Sequence, residues 1–150
     1  MKTHIVVHHS LTKDGREVNW GAIRNYHVNE NGWADIGYNF GIENINGIYE
    51  CLIGRLPTDR GAHCIELNMN KVSIGICVTG NFDKEAPNEA QLSKLRGLCR
   101  YLMATYSILP ENVLGHGEVQ LKSGMLPELT KTCPGKLFDM HKFRQSLKEV

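Results

Sequence analysis

The chain has 150 residues, 41% of them hydrophobic, which suits one compact domain. Its 17 Lys and Arg residues against 16 Asp and Glu give a formal net charge of +1, so electrostatics favour neither nucleic acid nor an anionic membrane as the main partner. A membrane-spanning helix needs about 20 consecutive apolar residues, and no run approaches that length. We therefore expect a soluble monomer with one domain over residues 1–150.

The first predicted elements are a strand over residues 4–8, a polar loop over 10–15 and a helix over about 19–30. The strand is β-branched and apolar, as expected for a sheet covered on both faces. Asn19 can cap the helix and Asn31-Gly32 can end it. The residues predicted to share its inner face are Ala22, Ile23, Tyr26 and His27.

Two strand-like stretches, residues 37–43 and 48–54, flank a segment that contains Asn46-Gly47, which predicts an antiparallel hairpin with a tight turn. The small and apolar run over residues 72–78 is typical of a central strand.

The strongest helical pattern begins after Asn88, where Gln91 stands at the position that a capping box requires. A short strand near residues 113–114 and a helix from about residue 139 complete the list. Together these elements predict an α/β or α+β fold, with a central sheet flanked by helices.

The cysteines are odd in number, and none of them forms a Cys-x-x-Cys pair. They are Cys51, Cys64, Cys77, Cys99 and Cys133. We expect reduced thiols rather than a disulfide framework, with Cys77 and Cys99 acting as small buried hydrophobes. Any metal must then be held by residues scattered along the chain.

Three scattered residues have the chemistry of a catalytic zinc site, which typically uses three protein ligands and leaves the fourth position to water. His8 ends the first strand, His116 follows the predicted strand near residue 114, and Cys133 lies 17 positions later. Strand ends and the loops after them can aim side chains at one cleft. Spacing alone leaves two interpretations open, because a strand histidine is more often a hydrogen-bonded core residue.

Six short motifs around these residues occur in one order along the chain. They are Val7-His8-His9-Ser10, Gly32-Trp33-Ala34-Asp35-Ile36-Gly37-Tyr38-Asn39-Phe40, Gly61-Ala62-His63, Ser73-Ile74-Gly75-Ile76, Gly115-His116-Gly117-Glu118-Val119 and Thr132-Cys133-Pro134-Gly135. Together they resemble the type 2 zinc-dependent N-acetylmuramoyl-L-alanine amidases, the family that includes phage T7 lysozyme and the peptidoglycan recognition proteins. The resemblance spans roughly residues 4–145.

The resemblance implies a mixed sheet with flanking helices and one zinc ion per chain, held by His8, His116 and Cys133. Neighbouring strand residues point to opposite faces, so His9 cannot share the side of His8. A register shifted by one residue would give His9 the ligand role instead. Otherwise His9 is interpreted as a core histidine or one that supports the site.

Further roles are implied by the same resemblance. Tyr38 matches the catalytic tyrosine of the family, and Lys131 the catalytic lysine of the T7 lysozyme branch. His63 matches a groove histidine that binds substrate. The alternatives are a half-buried strand aromatic for Tyr38, a solvated loop lysine for Lys131 and a surface loop histidine for His63. The stretch over residues 64–71 is longer than in T7 lysozyme, which alters the expected groove wall.

Three other residues near the motifs have two interpretations each. Trp20 and Trp33 could stack on sugars, but packing against the sheet is the preferred interpretation. Glu118, two residues after His116, is either a carboxylate that orients a ligand or an ordinary loop residue.

The expected activity is zinc-dependent hydrolysis of the amide between the lactyl group of N-acetylmuramic acid and L-alanine in peptidoglycan. The alternative is a non-catalytic module that binds muropeptides. Residues 1–9 lack a run long enough for a signal-peptide core. This predicts a phage or prophage endolysin that is made in the bacterial cytoplasm and acts on the cell wall after release.

Overall fold

A mixed five-stranded sheet forms the centre of the fold, in the order β3-β2-β4-β1-β5. The computed structural model describes residues 1–11 and 19–149. The strands are β1 His4–His9, β2 Phe40–Ile45, β3 Ile48–Ile53, β4 Ser73–Val78 and β5 Val113–Gly115. β1 pairs in parallel with β4 and β5, β2 pairs in parallel with β4, and β3 pairs antiparallel with β2. The predicted fold class, a mixed sheet with flanking helices, is confirmed.

Helices cover both faces of the sheet. They are α1 Trp20–Asn25, α2 Met69–Val72, α3 Glu89–Tyr106, α4 His116–Lys122 and α5 Met140–Lys148. A π-helical turn follows α1 over Tyr26–Glu30, and single 3-10 turns lie at Glu66–Asn68, Pro110–Asn112 and Pro127–Leu129. No helix among the residues described is long and apolar enough to cross a bilayer.

The alternation of side chains along β1 decides which residues face the site. Ile5 and Val7 belong to the larger core cluster, which the buried faces of α3 and α5 complete. Val6 belongs to the opposite cluster, with residues of α2 and α4. His8 shares the face of Val6, because side chains two apart on a strand point the same way.

Several local predictions are confirmed. Asn46 and Gly47 have φ angles of 53° and 88°, as the predicted hairpin turn requires. The capping box of α3 is present, with Asn88 and Gln91 each accepting a backbone hydrogen bond from the other. Cys77 and Cys99 are both fully buried.

The helix predicted over residues 19–30 is partly wrong. Asn19 caps it as expected, accepting from the Ala22 amide at 2.7 Å. The α-helix ends at Asn25, however, and the wider π-helical turn changes the angular spacing of the side chains that follow. Ala22 and Tyr26 do not lie on an inner face: Tyr26 is 58% exposed and Ala22 is also exposed, because α1 packs on the sheet through Trp20 and Ile23. Positions 12–15 of the predicted polar loop lie outside the described residues.

Candidate metal centre and active site

Three side chains from distant parts of the chain meet at the carboxyl end of β1. The candidate ligand atoms of His8, His116 and Cys133 all lie within 4.8 Å of one another. β1 and β5 are parallel neighbours, so His8 at the end of β1 lies beside His116, the first residue of α4 after β5. The two imidazole rings are 4.8 Å apart, and the His8 Nδ1 atom is 3.6 Å from the Cys133 Sγ atom.

Backbone contacts hold the segment of Cys133 against the start of α4. The amide of Gly117 donates to the Cys133 carbonyl at 2.8 Å. Two residues earlier, the amide of Lys131 donates to the Gln120 side-chain oxygen at 2.7 Å. Two hydrogen bonds to α4 therefore fix the segment of Cys133 relative to His116, although the two residues are far apart in sequence.

His9 points away from this cluster. Its ring stacks on Phe82 with centroids 6.0 Å apart, and its Nδ1 atom accepts a hydrogen bond from the Phe82 amide at 3.1 Å. The geometry therefore joins His8, and not His9, to the other two candidate ligands.

The donor set suits zinc. Zinc binds imidazole nitrogen at about 2.0–2.1 Å and thiolate sulfur at about 2.3 Å, so a tetrahedral site places such ligands about 3.5 Å apart. The 3.6 Å between His8 Nδ1 and Cys133 Sγ is close to that separation. Two imidazoles and one thiol leave a fourth position for a water or a substrate, as catalytic zinc sites require.

Burial keeps both imidazoles available as metal ligands. Desolvation lowers the pKa of His8 well below its ordinary 6.5, and neighbouring basic groups, beginning with His63, lower it further. Desolvation also lowers the pKa of His116, against the opposing charge of Glu66. Desolvation raises the pKa of the Cys133 thiol to about 11, so metal binding must displace its proton.

His63 lies in a loop, but its side chain is half-buried against His8 and does not lie on the surface as the alternative interpretation required. Its Nδ1 atom is 2.8 Å from the His8 Nε2 atom, and its Nε2 atom is 3.4 Å from the Ser73 hydroxyl. Desolvation, followed by the charge of His116, lowers the pKa of His63 to about 3. A neutral His63 can therefore accept a hydrogen bond from one of these two neighbours while it donates a hydrogen bond to the other.

A cavity of about 430 Å³ opens over the three candidate ligands. Tyr38, His63 and Lys131 all line it, so the structure brings every predicted site residue to one cleft. The Tyr38 ring is 5.2 Å from the His8 ring. Desolvation raises the pKa of Tyr38 well above 10.0, with further contributions from Cys77 and Cys133, so its phenol stays protonated. Lys131 is exposed at the rim.

The two tryptophans differ. Trp20 is 9% exposed and donates from its indole nitrogen to the Ile53 carbonyl at 3.2 Å, so the packing interpretation is confirmed for it. Trp33 lines the cavity instead, with its ring 4.7 Å from the ring of His27.

The carboxylate of Glu118 is bound by residues other than His116. Its carboxylate accepts from both terminal nitrogens of Arg144 at 2.8 Å and from the Gly115 amide at 2.9 Å. Glu118 therefore ties α4 to α5.

Sequence reasoning missed three polar residues of the site, His27, Glu66 and Gln120. His27 lines the cavity, and the other two lie behind His116. The sequence placed His27 on the predicted inner face of the first helix, which indicated that it is turned towards the interior but gave no role in the site. Glu66 had none, because its contact with His116 spans 50 positions.

The fold is shared with known proteins. The sequence profile of the N-acetylmuramoyl-L-alanine amidase family matches residues 2–136. The chain belongs to this family. The resemblance seen in the six motifs is thereby confirmed.

Relatives with similar sequences include peptidoglycan recognition proteins of animals. Peptidoglycan-recognition protein SC2 of Drosophila melanogaster is 34% identical over 123 residues, which cover 78% of this chain and 64% of the relative. Peptidoglycan recognition protein 1 of Bos taurus is 35% identical over 99 residues, or 65% of this chain and 50% of the relative. The chain thus spans about half to two thirds of the length of these relatives.

Solved structures of amidases and recognition proteins share the fold. The endolysin amidase LysCS from Clostridium intestinale superposes with a TM-score of 0.80 at 27% identity, covering 99% of this chain and 85% of that one. A Drosophila PGRP-LB variant in complex with tracheal cytotoxin gives a TM-score of 0.71 at 26% identity, covering 91% and 77%. Family members that are named amidases and members that are named recognition proteins are therefore both similar to this chain.

Proposed function

We propose that this chain is a zinc-dependent N-acetylmuramoyl-L-alanine amidase, with residues 1–150 as its catalytic domain. The observation that carries the proposal is the convergence of His8, His116 and Cys133 at the floor of a cleft that Tyr38 and Lys131 also line. The substrate bond is the amide between the lactyl group of N-acetylmuramic acid and L-alanine in peptidoglycan.

In this proposal His8, His116 and Cys133 hold one zinc ion per chain. A zinc ion bound there supplies a Lewis acid that polarises the scissile carbonyl and makes a nearby water more acidic. The remaining task of the site is to stabilise the negative charge that develops on the carbonyl oxygen.

Tyr38 and Lys131 are proposed to perform that task. Tyr38 keeps its proton because its pKa is raised, so its hydroxyl can donate a hydrogen bond to the developing oxyanion. Lys131 lies at the rim, where its ammonium group can add a positive charge and handle protons. Backbone anchoring by Gln120 fixes the segment from which the lysine side chain extends.

His63 is proposed to serve both its neighbour and the substrate. One ring nitrogen is engaged with His8 and the other faces Ser73, while part of the residue lines the cavity. A substrate can therefore contact the ring without displacing its hydrogen bonds.

The biological setting is proposed as that of a phage or prophage endolysin. The structural similarity to the endolysin amidase LysCS supports this setting. The protein would then act on the cell wall as a monomer.

A second candidate function is the binding of muropeptides without cleavage. The observation in its favour is that the relatives with similar sequences carry the name of recognition proteins. Retention of Cys133 beside the two histidines favours catalysis, because binding alone does not require three convergent metal ligands.

The test compares the wild type with Cys133→Ser and with Cys99→Ser, which changes a buried cysteine of α3 outside the cleft. Zinc content and hydrolysis of a muramoyl peptide are measured on each preparation. We expect one zinc per chain and hydrolysis in the wild type and Cys99→Ser, and the loss of both in Cys133→Ser. A wild type that binds zinc and muropeptide without hydrolysis would favour the recognition function.

A further inference from the structure

Glu66 contacts the ring of His116 and is not among the residues that line the cavity. It starts the 3-10 turn before α2, and its side chain is only 14% exposed. One carboxylate oxygen lies 3.3 Å from the His116 Nε2 atom and 3.3 Å from the Cys64 sulfur. The other oxygen accepts from the Gln120 amide nitrogen at 2.7 Å.

All three contacts place a potential donor against the carboxylate. An ionised carboxylate accepts and cannot donate, so His116 must carry its proton on Nε2 to complete this set. With the proton on Nε2, the His116 Nδ1 atom is left as the donor for a metal.

Gln120 extends the same network to the other side of the site. Its side-chain nitrogen donates to Glu66, and its side-chain oxygen accepts from the Lys131 amide at 2.7 Å. Lys131 stands two residues before Cys133. A continuous chain of hydrogen bonds therefore links the Nε2 atom of His116 to the segment that carries Cys133.

We propose that Glu66 is a positioning residue of the metal site, which fixes the tautomer and ring orientation of His116 and, through Gln120, the segment of Lys131 and Cys133. This inference rests on the proposed function, since it takes His116 as a zinc ligand. Histidine ligands of zinc characteristically donate their second ring N–H to such a carboxylate, and loss of that partner weakens metal binding about 10- to 100-fold.

The alternative to a positioning role is that Glu66 is itself a metal ligand. Cys64, Glu66 and His116 also form a group whose ligand atoms lie within 4.8 Å, so they could hold a second metal ion. Each of these contacts is already a satisfied hydrogen bond to one carboxylate, which favours positioning. Metal stoichiometry separates the two arrangements.

The first test measures the zinc dissociation constant of Glu66→Gln by competition with a chromophoric chelator. An amide offers one oxygen and one NH₂ group to the three donors that the carboxylate accepts, so at least one contact fails. We expect affinity about 10- to 100-fold weaker than in the wild type, at one zinc per wild-type chain. The matched control is Glu118→Gln, which removes the same charge from the carboxylate that binds Arg144, and should keep wild-type zinc affinity.

Unchanged affinity in a folded Glu66→Gln protein would overturn the positioning role. Two zinc ions per wild-type chain, with one lost in the variant, would also overturn it and make Glu66 a ligand. Cobalt substitution adds a spectroscopic readout, since a misoriented His116 shifts the visible absorption bands of the bound cobalt.

A second measurement does not depend on the variant folding. Nitrogen-15 NMR of the metal-free wild type reports the tautomer of His116, and we expect the proton on Nε2. A proton on Nδ1 would overturn the proposal. Failure of the proposed function looks different: the wild type itself would bind no zinc, or would bind zinc with a Glu66-dependent affinity and leave peptidoglycan intact.

Discussion

The Nε2 atom of His8 lies 2.8 Å from the Nδ1 atom of His63. If a metal binds the Nδ1 atom of His8, the proton of His8 must be on its Nε2 atom. The Nδ1 atom of His63 then accepts a hydrogen bond from His8, so the proton of His63 must be on its own Nε2 atom. Ser73 completes the series, because its hydroxyl lies 3.4 Å from His63 and donates to the Met69 carbonyl at 2.7 Å. In both candidate histidine ligands, the Nε2 atom therefore has a hydrogen-bond partner, which is His63 for His8 and Glu66 for His116.

Removal of the His63 ring nitrogens should weaken zinc binding. We expect His63→Phe, which keeps an aromatic ring without an acceptor, to bind zinc about 10- to 100-fold less tightly. Its His8 loses the partner that orients it. Chelator competition measures the effect, and wild-type affinity in a folded His63→Phe protein would show that the 2.8 Å contact does not support the metal.

Gly75 leaves the space that His63 occupies. A Cβ atom on Gly75 would lie 2.5 Å from the His63 ring, closer than real contacts allow. Gly75→Ala should therefore displace the ring, weaken zinc binding and lower the melting temperature. The matched control is Gly97→Ala in α3, where a Cβ meets nothing within 4 Å and should stabilise the helix by about 1 kcal/mol. Equal zinc affinity and equal melting temperature in the two variants would contradict this account.

Tyr38 and Lys131 lie outside the candidate ligand set, so their variants should separate catalysis from metal binding. We expect Tyr38→Phe and Lys131→Ala each to lower turnover on the order of 10²-fold or more while zinc content is unchanged. Steady-state hydrolysis and zinc analysis on the same preparations measure both. Normal turnover in Lys131→Ala would support the solvated-lysine interpretation and leave Tyr38 as the donor to the oxyanion.

Protonation of His27 should destabilise the fold. Its Nδ1 atom accepts from the Gly37 amide at 2.9 Å, and desolvation, followed by the charge of Arg55, lowers its pKa below 6.5. The unfolded chain then binds more protons than the folded one, so stability falls as the pH decreases through about 6.5 towards the folded pKa. Denaturant titrations at several pH values should show that the free energy of unfolding falls less steeply with decreasing pH in His27→Asn, because asparagine keeps an acceptor that cannot be protonated. His141→Asn, at an exposed position of α5, is the control, and a wild-type slope in His27→Asn would rule out this histidine.

The elements that the sequence predicted correctly are those with local signals. The turn at Asn46-Gly47 and the capping box of Asn88 and Gln91 each depend on residues within a few positions, so their patterns could be recognised without the fold. Helix α4 was missed because its seven residues are too few to show a period and include a poor helix former, Gly117.

The candidate site divides in the same way. His8, His116 and Cys133 could be proposed because motifs around each residue resemble those of one family. Glu66 and Gln120 could not, because their contacts are made between side chains 50 and 54 positions apart and depend on how the 3-10 turn before α2 meets α4. Tertiary packing decides such partners, and no local pattern encodes them.

Mass spectrometry of purified peptidoglycan after incubation with the zinc-loaded protein tests the central claim most directly. The account predicts free stem peptides with an L-alanine amino terminus and glycan strands that retain intact N-acetylmuramic acid, with no such products from Cys133→Ser. A zinc-loaded wild type that binds peptidoglycan and releases no stem peptide would contradict it.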